Sequence, residues 1–401
     1  MATPTRSDVV IVGASVAGLA VVDGLRRGGF AGTITVIDAD DDPNHDRPPL
    51  SKAYLQGTID RAGLRLRTPE ALDAAEATWI RGDAAVAYDP VTRCVTTAAG
   101  RSVSGGDVVI ATGVSPRRLP SSDGTAGLVL RSVSDADRLA AELRTPLADA
   151  GQRHVAVIGN GVLGSEIAAT VSGTGAAVTL AGRAPAPMAH LLGPTGSGIL
   201  AAVHSEHGVR LTTTGRALSI RSVGAAQVVD FDDGAHVRAD TVVLAIGSEP
   251  STGWLDGSGL PVDDGLVSDE FGRVVDGTWA AGDVARPFQP ALGRHRRLEN
   301  RTNALKHGTA VARNILGADL PYTPTPYFWT DQFGARVQVW GAMGEDTPEI
   351  VEGSVEDRRF VAVARAAGGE PVGVLGWRMP KQGRLHAVSI AAAQPAGPVH
   401  V

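Results

Sequence analysis

Uninterrupted apolar runs punctuate the chain at regular distances. "DVVIVGA" (8–14) and "TITVID" (33–38) have the character of strands buried on both faces of a parallel sheet, where no solvent face imposes alternation. Between them, "GLAVVDGLRRGGF" (18–30) places apolar residues at helical spacing and closes on glycine. The same order recurs as "HVAVIG" (154–159), "SEIAATVSGTG" (165–175) and "AVTLAG" (177–182). Two further buried runs, "DVVIATG" (107–113) and "TVVLAIG" (241–247), end on a glycine that permits a tight exit turn. From about residue 322 the texture changes. "RVQVWG", "RFVAVAR" and "PVGVLGW" read as short strands, and a helix is expected after Pro380.

Two strand–helix–strand units in one chain predict two separate doubly wound sheets. The expected fold class is α/β, with two Rossmann-like nucleotide-binding domains and a C-terminal α+β domain. The first nucleotide domain is expected to be split into residues 1–113 and 245–321. The second is inserted between them as 114–244, and 322–401 form the last domain.

Composition narrows the function. Of 401 residues, 43% are hydrophobic and 20% charged, as in ordinary globular proteins, and the net charge of −6 gives no global attraction to nucleic acid. No apolar run reaches the roughly 18 residues of a membrane span, and the N-terminus runs almost directly into a strand, so a cytoplasmic protein is expected. Oligomeric state, monomer or dimer, is left open. The single cysteine, Cys94, lies in the alternating run "TRCVTT" and reads as a half-buried sheet residue. One cysteine makes neither a redox dithiol nor a cysteine metal cluster, and no metal is expected.

The candidate chemistry lies in the turns. Gly13-Ala-Ser-Val-Ala-Gly18 and Gly159-Asn-Gly161-Val-Leu-Gly164 each follow a buried strand and open a helix. In such turns the first glycine makes the bend, the middle one admits a pyrophosphate and the last lets helix and strand pack closely. The helix N-terminus then offers unpaired N–H groups to the phosphates. Ser15 replaces the middle glycine of the first copy, and its small side chain leaves room for binding. After the second strand of the first unit, Asp38 and Asp40 are both placed to accept hydrogen bonds from a ribose. In the second unit Gly182 and Arg183 stand where an acid would select NAD, so a 2′-phosphate, and hence NADPH, is slightly favoured.

Six segments, "DRPPLSKAYL" (46–55), "LRLRTPE" (64–70), "VVIATGVSPR" (108–117), "LRSVSDADRL" (130–139), "WAAGDVA" (279–285) and "PYFWTDQFG" (326–334), together resemble the FAD-dependent ferredoxin reductases of the putidaredoxin reductase and biphenyl dioxygenase reductase type, in order over nearly the whole chain. The resemblance implies FAD on the first turn and NAD(P)H on the second. It implies electron transfer from NAD(P)H through FAD to a small iron–sulfur ferredoxin serving a P450 or an oxygenase. By resemblance, Lys52 lies beside the flavin ring. Glu166, placed on the first turn of its helix, either reaches the nicotinamide, pairs with Lys52 or simply complements the helix dipole. Trp329 stands near the flavin, Asp283 binds a ribityl hydroxyl and Arg131 contacts FAD. Further cofactor contacts are implied at Ala17, Arg47, Ala85, Ala111, Thr112, Gly113, Val162, Leu163, Gly247 and Gly282.

"ENRTNALKHGTAVARNILG" (299–317) reads as a helix with Thr302 as N-cap. Arg301 stands where family members often carry an aromatic, and its role is open, at the flavin edge or on the acceptor face. Arg294, Arg296, Arg297 and Arg301 form a basic run in an acidic chain, which fits docking of an acidic ferredoxin. Arg61, Arg65 and Arg67 are weaker candidates for that rim. The competing reading is a stand-alone flavoenzyme that reduces oxygen, a quinone or a specialised small molecule; another is a non-enzymatic FAD-bound signalling protein.

Overall fold

The computed structural model describes residues 5–124, 126–147 and 151–392; the ends 1–4 and 393–401 of the first and last expected domains lie outside the described residues. The strand Thr5–Val12 occupies the middle of an eight-stranded sheet, with Ile34–Ile37 and Ser102–Ile110 parallel on either side. Val9, Val10, Ile11 and Val12 are all buried, which is why this segment carries no polar alternation. Helices Val16–Arg27 and Arg301–Ile315 cover one face, meeting it through Val21, Leu25 and Val311. Tyr88, Val95, Leu255 and Leu266 cover the other.

The sheet is completed from far along the chain. Thr278–Ala280 pairs in parallel with Ser102–Ile110, setting Trp279 opposite Val109. The chain leaves through Val114–Pro116 and returns through Ser248–Pro250, and these two short strands pair antiparallel. Between them lies a four-stranded parallel sheet in the order Val209–Thr213, Ala177–Gly182, His154–Ile158, Thr241–Leu244. Helix Val162–Ser172 packs on one face through Ile167 and Val171. A three-stranded antiparallel sheet spanning Ala217–Val223, Ala226–Phe231 and His236–Ala239 covers the other through Ile220, Val229 and Phe231.

The C-terminal region is a five-stranded antiparallel sheet that starts with Tyr327–Gln332, with helix Pro380–Ala392 against it. It is attached to the second sheet region by helix Ala189–Glu206, whose Leu192 and Leu200 enter the same apolar cluster as Val337, Phe360 and Trp377. That attachment carries Tyr327–Gln332 over the gap between the two nucleotide turns.

Helix Arg301–Ile315 is capped by Asn300, not Thr302: the Asn300 side chain accepts from the Asn303 N–H at 2.7 Å, and Thr302 falls inside the first turn. Among the described residues no helix is long and apolar enough to cross a membrane. Cys94 opens a strand of the first sheet and is half-buried, as expected.

The two helices on the first sheet approach closely because Gly24 and Gly308 present no side chain; a Cβ at Gly308 would lie 2.4 Å from the Ala17 carbonyl oxygen, and one at Gly24 2.6 Å from the Ala312 Cβ. Gly308→Ala therefore forces the helices apart. We expect a loss of about 1–3 kcal/mol in urea unfolding; an unchanged denaturation midpoint would contradict this packing.

Candidate functional site

Both turns open on one cavity of about 570 Å³, a size typical of organic-ligand sites. Ser15, Val16 and Ala17 reach it from the start of the first helix, and Gly161, Val162 and Leu163 from the start of the second. The two turns have the same geometry. Gly13 and Gly159 share φ +109°, and a Cβ would lie 2.3 Å from the Ala111 carbonyl oxygen in one and 2.1 Å from that of Ala245 in the other. Only glycine fits. Gly18 and Gly164 are equally confined, against the carbonyls of Gly13 and Gly159.

The Pro-rich segment contributes the charged side of the cavity. Pro48–Ser51 forms one 3-10 turn that aims Arg47 and Lys52 inward. Arg47 donates to the Ser15 hydroxyl at 2.7 Å. The serine that replaces the middle glycine therefore anchors a guanidinium at the mouth of the turn. Withdrawal from water, with Arg131 nearby, pushes Arg47 down to about 10. Burial raises the Asp283 carboxyl and lowers Arg131, each partly offset by the other's charge. Arg47 Nε and Asp283 Oδ1 are buried without a protein partner.

These features fit a dinucleotide. Unpartnered buried polar atoms are costly unless a ligand meets them. Here a cationic donor and a carboxylate acceptor line a cavity between two helix N-termini. Arg47 and Arg131 would hold phosphate oxygens, and Asp283 a hydroxyl.

Lys52 and Glu166 meet across the cavity wall at 2.7 Å. Glu166 is not on the first turn of its helix: the helix starts at Val162, which puts Glu166 on the second turn, buried and turned inward. Its other partners are the hydroxyls of Ser51 at 2.6 Å and Thr330 at 2.8 Å. Phe328 and Trp329 close the cavity from the C-terminal sheet, and Trp329 stacks on Tyr327. Arg301 lines the opposite side, where its Nε donates to Asp46 at 2.6 Å, tying the helix start to the Pro-rich segment. Ala111, Gly113 and Gly247 also line the cavity.

Other expected residues lie elsewhere. Asp38 accepts from the N–H groups of Ala14 (2.6 Å) and Asp40 (2.8 Å), so it braces the first turn from behind, and its burial raises its pKa. Asp40 is exposed and accepts from the Asp42 N–H. Ala85 starts a strand of the first sheet and is not among the residues lining the cavity. Thr112 turns its hydroxyl to the Ser251 carbonyl. Gly282 lies behind Asp283, where its N–H donates to His307 Nδ1 at 3.3 Å. Arg183 is exposed at the end of its strand. In the basic run, Arg297 is held by Asp264 and Glu299, Arg296 is half-buried and Arg294 is exposed. Arg61 pairs with Asp137 and Arg67 with Asp23.

Ser51, Thr330 and His307 were not singled out from sequence. Ser51 and Thr330 sit inside "PPLSK" and "FWTDQ", each next to a residue that was. Nothing local marks His307, which is buried in the middle of a helix and stacked on Tyr322.

Two dinucleotide turns sharing one cavity, with no thiol in its wall, define an oxidoreductase that brings two nucleotides together. Residues 7–308 match the pyridine nucleotide-disulphide oxidoreductase family, and residues 327–400 match a reductase C-terminal family. The chain is similar to rhodocoxin reductase of Rhodococcus erythropolis (32% identical, 88% of this chain and 82% of the relative). It is similar to putidaredoxin reductase of Pseudomonas putida at 32% (88% and 85%). Among solved structures it resembles the ferredoxin reductase for the CYP199A2 system of Rhodopseudomonas palustris (TM-score 0.84, 31% identity, 92% and 91% covered). A covalent putidaredoxin reductase–putidaredoxin complex gives 0.85 at 30% identity (97% and 94%). The chain belongs to the pyridine nucleotide-disulphide oxidoreductase family, and its cofactors are FAD and NAD(P)H.

Burial pushes His307 down to about 4 from 6.5, so between these values the unfolded chain binds the extra proton. Its contribution to stability is complete above pH ~6.5 and is lost as pH falls toward 4, at roughly 1.4 kcal/mol per pH unit. Urea titrations of wild type and His307→Gln across pH 4–7 should differ in slope by about that amount; parallel curves would show that His307 is not buried neutral.

Proposed function

We propose that this protein is an NAD(P)H-dependent ferredoxin reductase, passing electrons through FAD to a small iron–sulfur ferredoxin that serves a P450 or an oxygenase. In this reading, residues 1–113 and 245–321 hold FAD, 114–244 hold NAD(P)H, and 322–401 form the interface domain. The carrying observation is the single cavity that joins both turns and holds the Lys52–Glu166 pair in its wall. Bound FAD supplies the chemistry, accepting a hydride from NAD(P)H and releasing its electrons singly. Lys52 holds an ammonium against the site of arriving negative charge, and Glu166 holds Lys52. Arg47, Arg131 and Asp283 orient FAD, while Trp329 and Phe328 exclude water from the C-terminal side.

The names of the relatives support a ferredoxin acceptor: rhodocoxin reductase, putidaredoxin reductase and a Sphingomonas ferredoxin–NAD(P)+ reductase. The cavity wall carries no cysteine, and Cys94 lies in a strand of the first sheet. The electrons therefore leave without a protein thiol. Cytoplasmic residence follows from this role. Arg294 and Arg296, with Arg297 between two carboxylates, form the docking rim.

NADPH is the favoured donor. A Cβ on Gly182 would lie 2.2 Å from Asn160 Oδ1, so the Asn160 amide fills the space that a ribose-binding acid would need. Asn160 Nδ2 also donates to the Ala184 carbonyl at 2.8 Å, bracing the turn that exposes Arg183.

Cytochrome c reduction by NADPH should be fast only when a cognate ferredoxin is added; equal rates without ferredoxin would reject the proposal in favour of a stand-alone flavoenzyme. Arg183→Glu should raise KM for NADPH at least about tenfold and leave that for NADH nearly unchanged. An unaltered preference ratio would remove the 2′-phosphate assignment.

A further inference from the structure

The buried bonds around Glu166 continue past it. Thr330 Oγ1, 2.8 Å from Glu166 Oε1, also receives the Gln332 amide at 2.9 Å. Gln332 Oε1 faces His204 Nε2 at 3.0 Å, and its amide also reaches the Met188 sulfur. Thr330, Gln332 and His204 are all buried. A carboxylate only accepts, so the Thr330 hydroxyl donates to it. The Thr330 oxygen then accepts from the Gln332 NH₂, which turns the Gln332 oxygen outward. Only an N–H can meet that oxygen, so His204 carries its proton on Nε2. The tautomer leaves Nδ1 bare, and His204 Nδ1 has no partner. Burial pushes His204 down to about 4, so the ring is neutral near pH 7.

From the other side, Ser51 donates to Glu166 Oε2, and its own carbonyl accepts from Thr170 at 2.7 Å, one turn further along the same helix. Each bond in the row His204, Gln332, Thr330 points toward Glu166. The row spans helix Ala189–Glu206, the C-terminal strand Tyr327–Gln332 and helix Val162–Ser172.

We infer that Thr330, Gln332 and His204 are positioning residues for electron uptake: this one-way row of hydrogen bonds fixes Glu166, and through it the place of the Lys52 ammonium in the cavity. The C-terminal sheet thus sets the geometry at which the flavin is reduced, in addition to any role in docking. The inference rests on the reading of Lys52 as the cation beside the flavin. With Oε1 satisfied by Thr330, Lys52 shares only Oε2 with Ser51 and keeps one fixed approach. Without Thr330, Oε1 is a bare buried acceptor, and Lys52 swings between the two oxygens to satisfy it.

The test uses the FAD-loaded enzyme. The chain has three lysines, Lys52, Lys306 and Lys381, and the latter two are exposed. Enzyme grown on ¹³C-lysine therefore gives a Lys52 ε-methylene signal that is assignable by Lys52→Met. Thr330→Val keeps shape and removes the hydroxyl. It should slow stopped-flow flavin reduction about tenfold and move the Lys52 signal toward the exposed pair. Thr330→Ser should recover most of the rate and the wild-type signal. A Lys52 signal unmoved in Thr330→Val, or a Ser variant as slow as the Val variant, would overturn the inference. Lys52→Met separates the two readings: if it reduces flavin at the wild-type rate, the assignment of Lys52 fails, whatever Thr330 does.

Discussion

The arrangement of the site depends on burying the Glu166 carboxylate. Removing a carboxylate from water costs several kcal/mol unless its oxygens are met by donors. Lys52, Ser51 and Thr330 provide them. Two come from the Pro-rich segment of the first nucleotide region and one from the C-terminal sheet, while Glu166 itself belongs to the second. The carboxylate is therefore satisfied only when all three regions are in register. A buried ion pair adds little net stability compared with apolar packing. Its consequence here is specificity: displacing any of the three regions strands a charge.

The duplicated turns supply the complementary half of the design. Gly13 against Ala111 and Gly159 against Ala245 repeat one backbone contact almost to a few tenths of an ångström, so both helices begin at equivalent positions relative to their sheets. They diverge in what stands before the helix. At the first turn Ser15 binds Arg47, adding a guanidinium to the helix terminus. At the second, Gly161 has nothing within 4 Å of where a Cβ would be, leaving open backbone. The first arrangement adds a positive charge beside the helix terminus, and the second leaves backbone N–H groups open to a phosphate.

Much of this was readable from sequence, and the exceptions have physical causes. The parallel strands were legible because burial on both faces removes alternation, as at Val9–Val12. The turns were legible because only glycine tolerates their contacts. The three-stranded layer 217–239 was not recognised, since its half-exposed alternation resembles surface loops. At the helix start the sequence reading takes Thr302 as N-cap, whereas Asn300, two residues earlier, accepts from the Asn303 N–H; both residue types cap through a side-chain oxygen, so residue type alone does not fix the first turn. Glu166 was found, but its partners lie 115 and 164 residues away and come together only through the fold. The carboxylates that hold Arg297 were not legible either, because Asp264 comes beside it only through the fold.

The family takes its name from disulphide chemistry, yet this chain keeps the two-nucleotide frame and no cysteine in the wall of the shared cavity. A dithiol would accept electrons in pairs at a fixed position within the protein. Without one, a flavin bound here would pass electrons on with no help from a protein thiol, which fits the separate iron–sulfur acceptor proposed above. That places the demand for precision on the uptake side, where a hydride must be received in one geometry. The release side needs proximity and electrostatic attraction more than fixed contact. The distribution of charges follows this division. Cations at the cavity wall are rigidly bonded, with Arg47 on Ser15, Lys52 on Glu166 and Arg301 on Asp46. Arg294, on the short strand Arg294–His295, is exposed and lies outside the cavity wall.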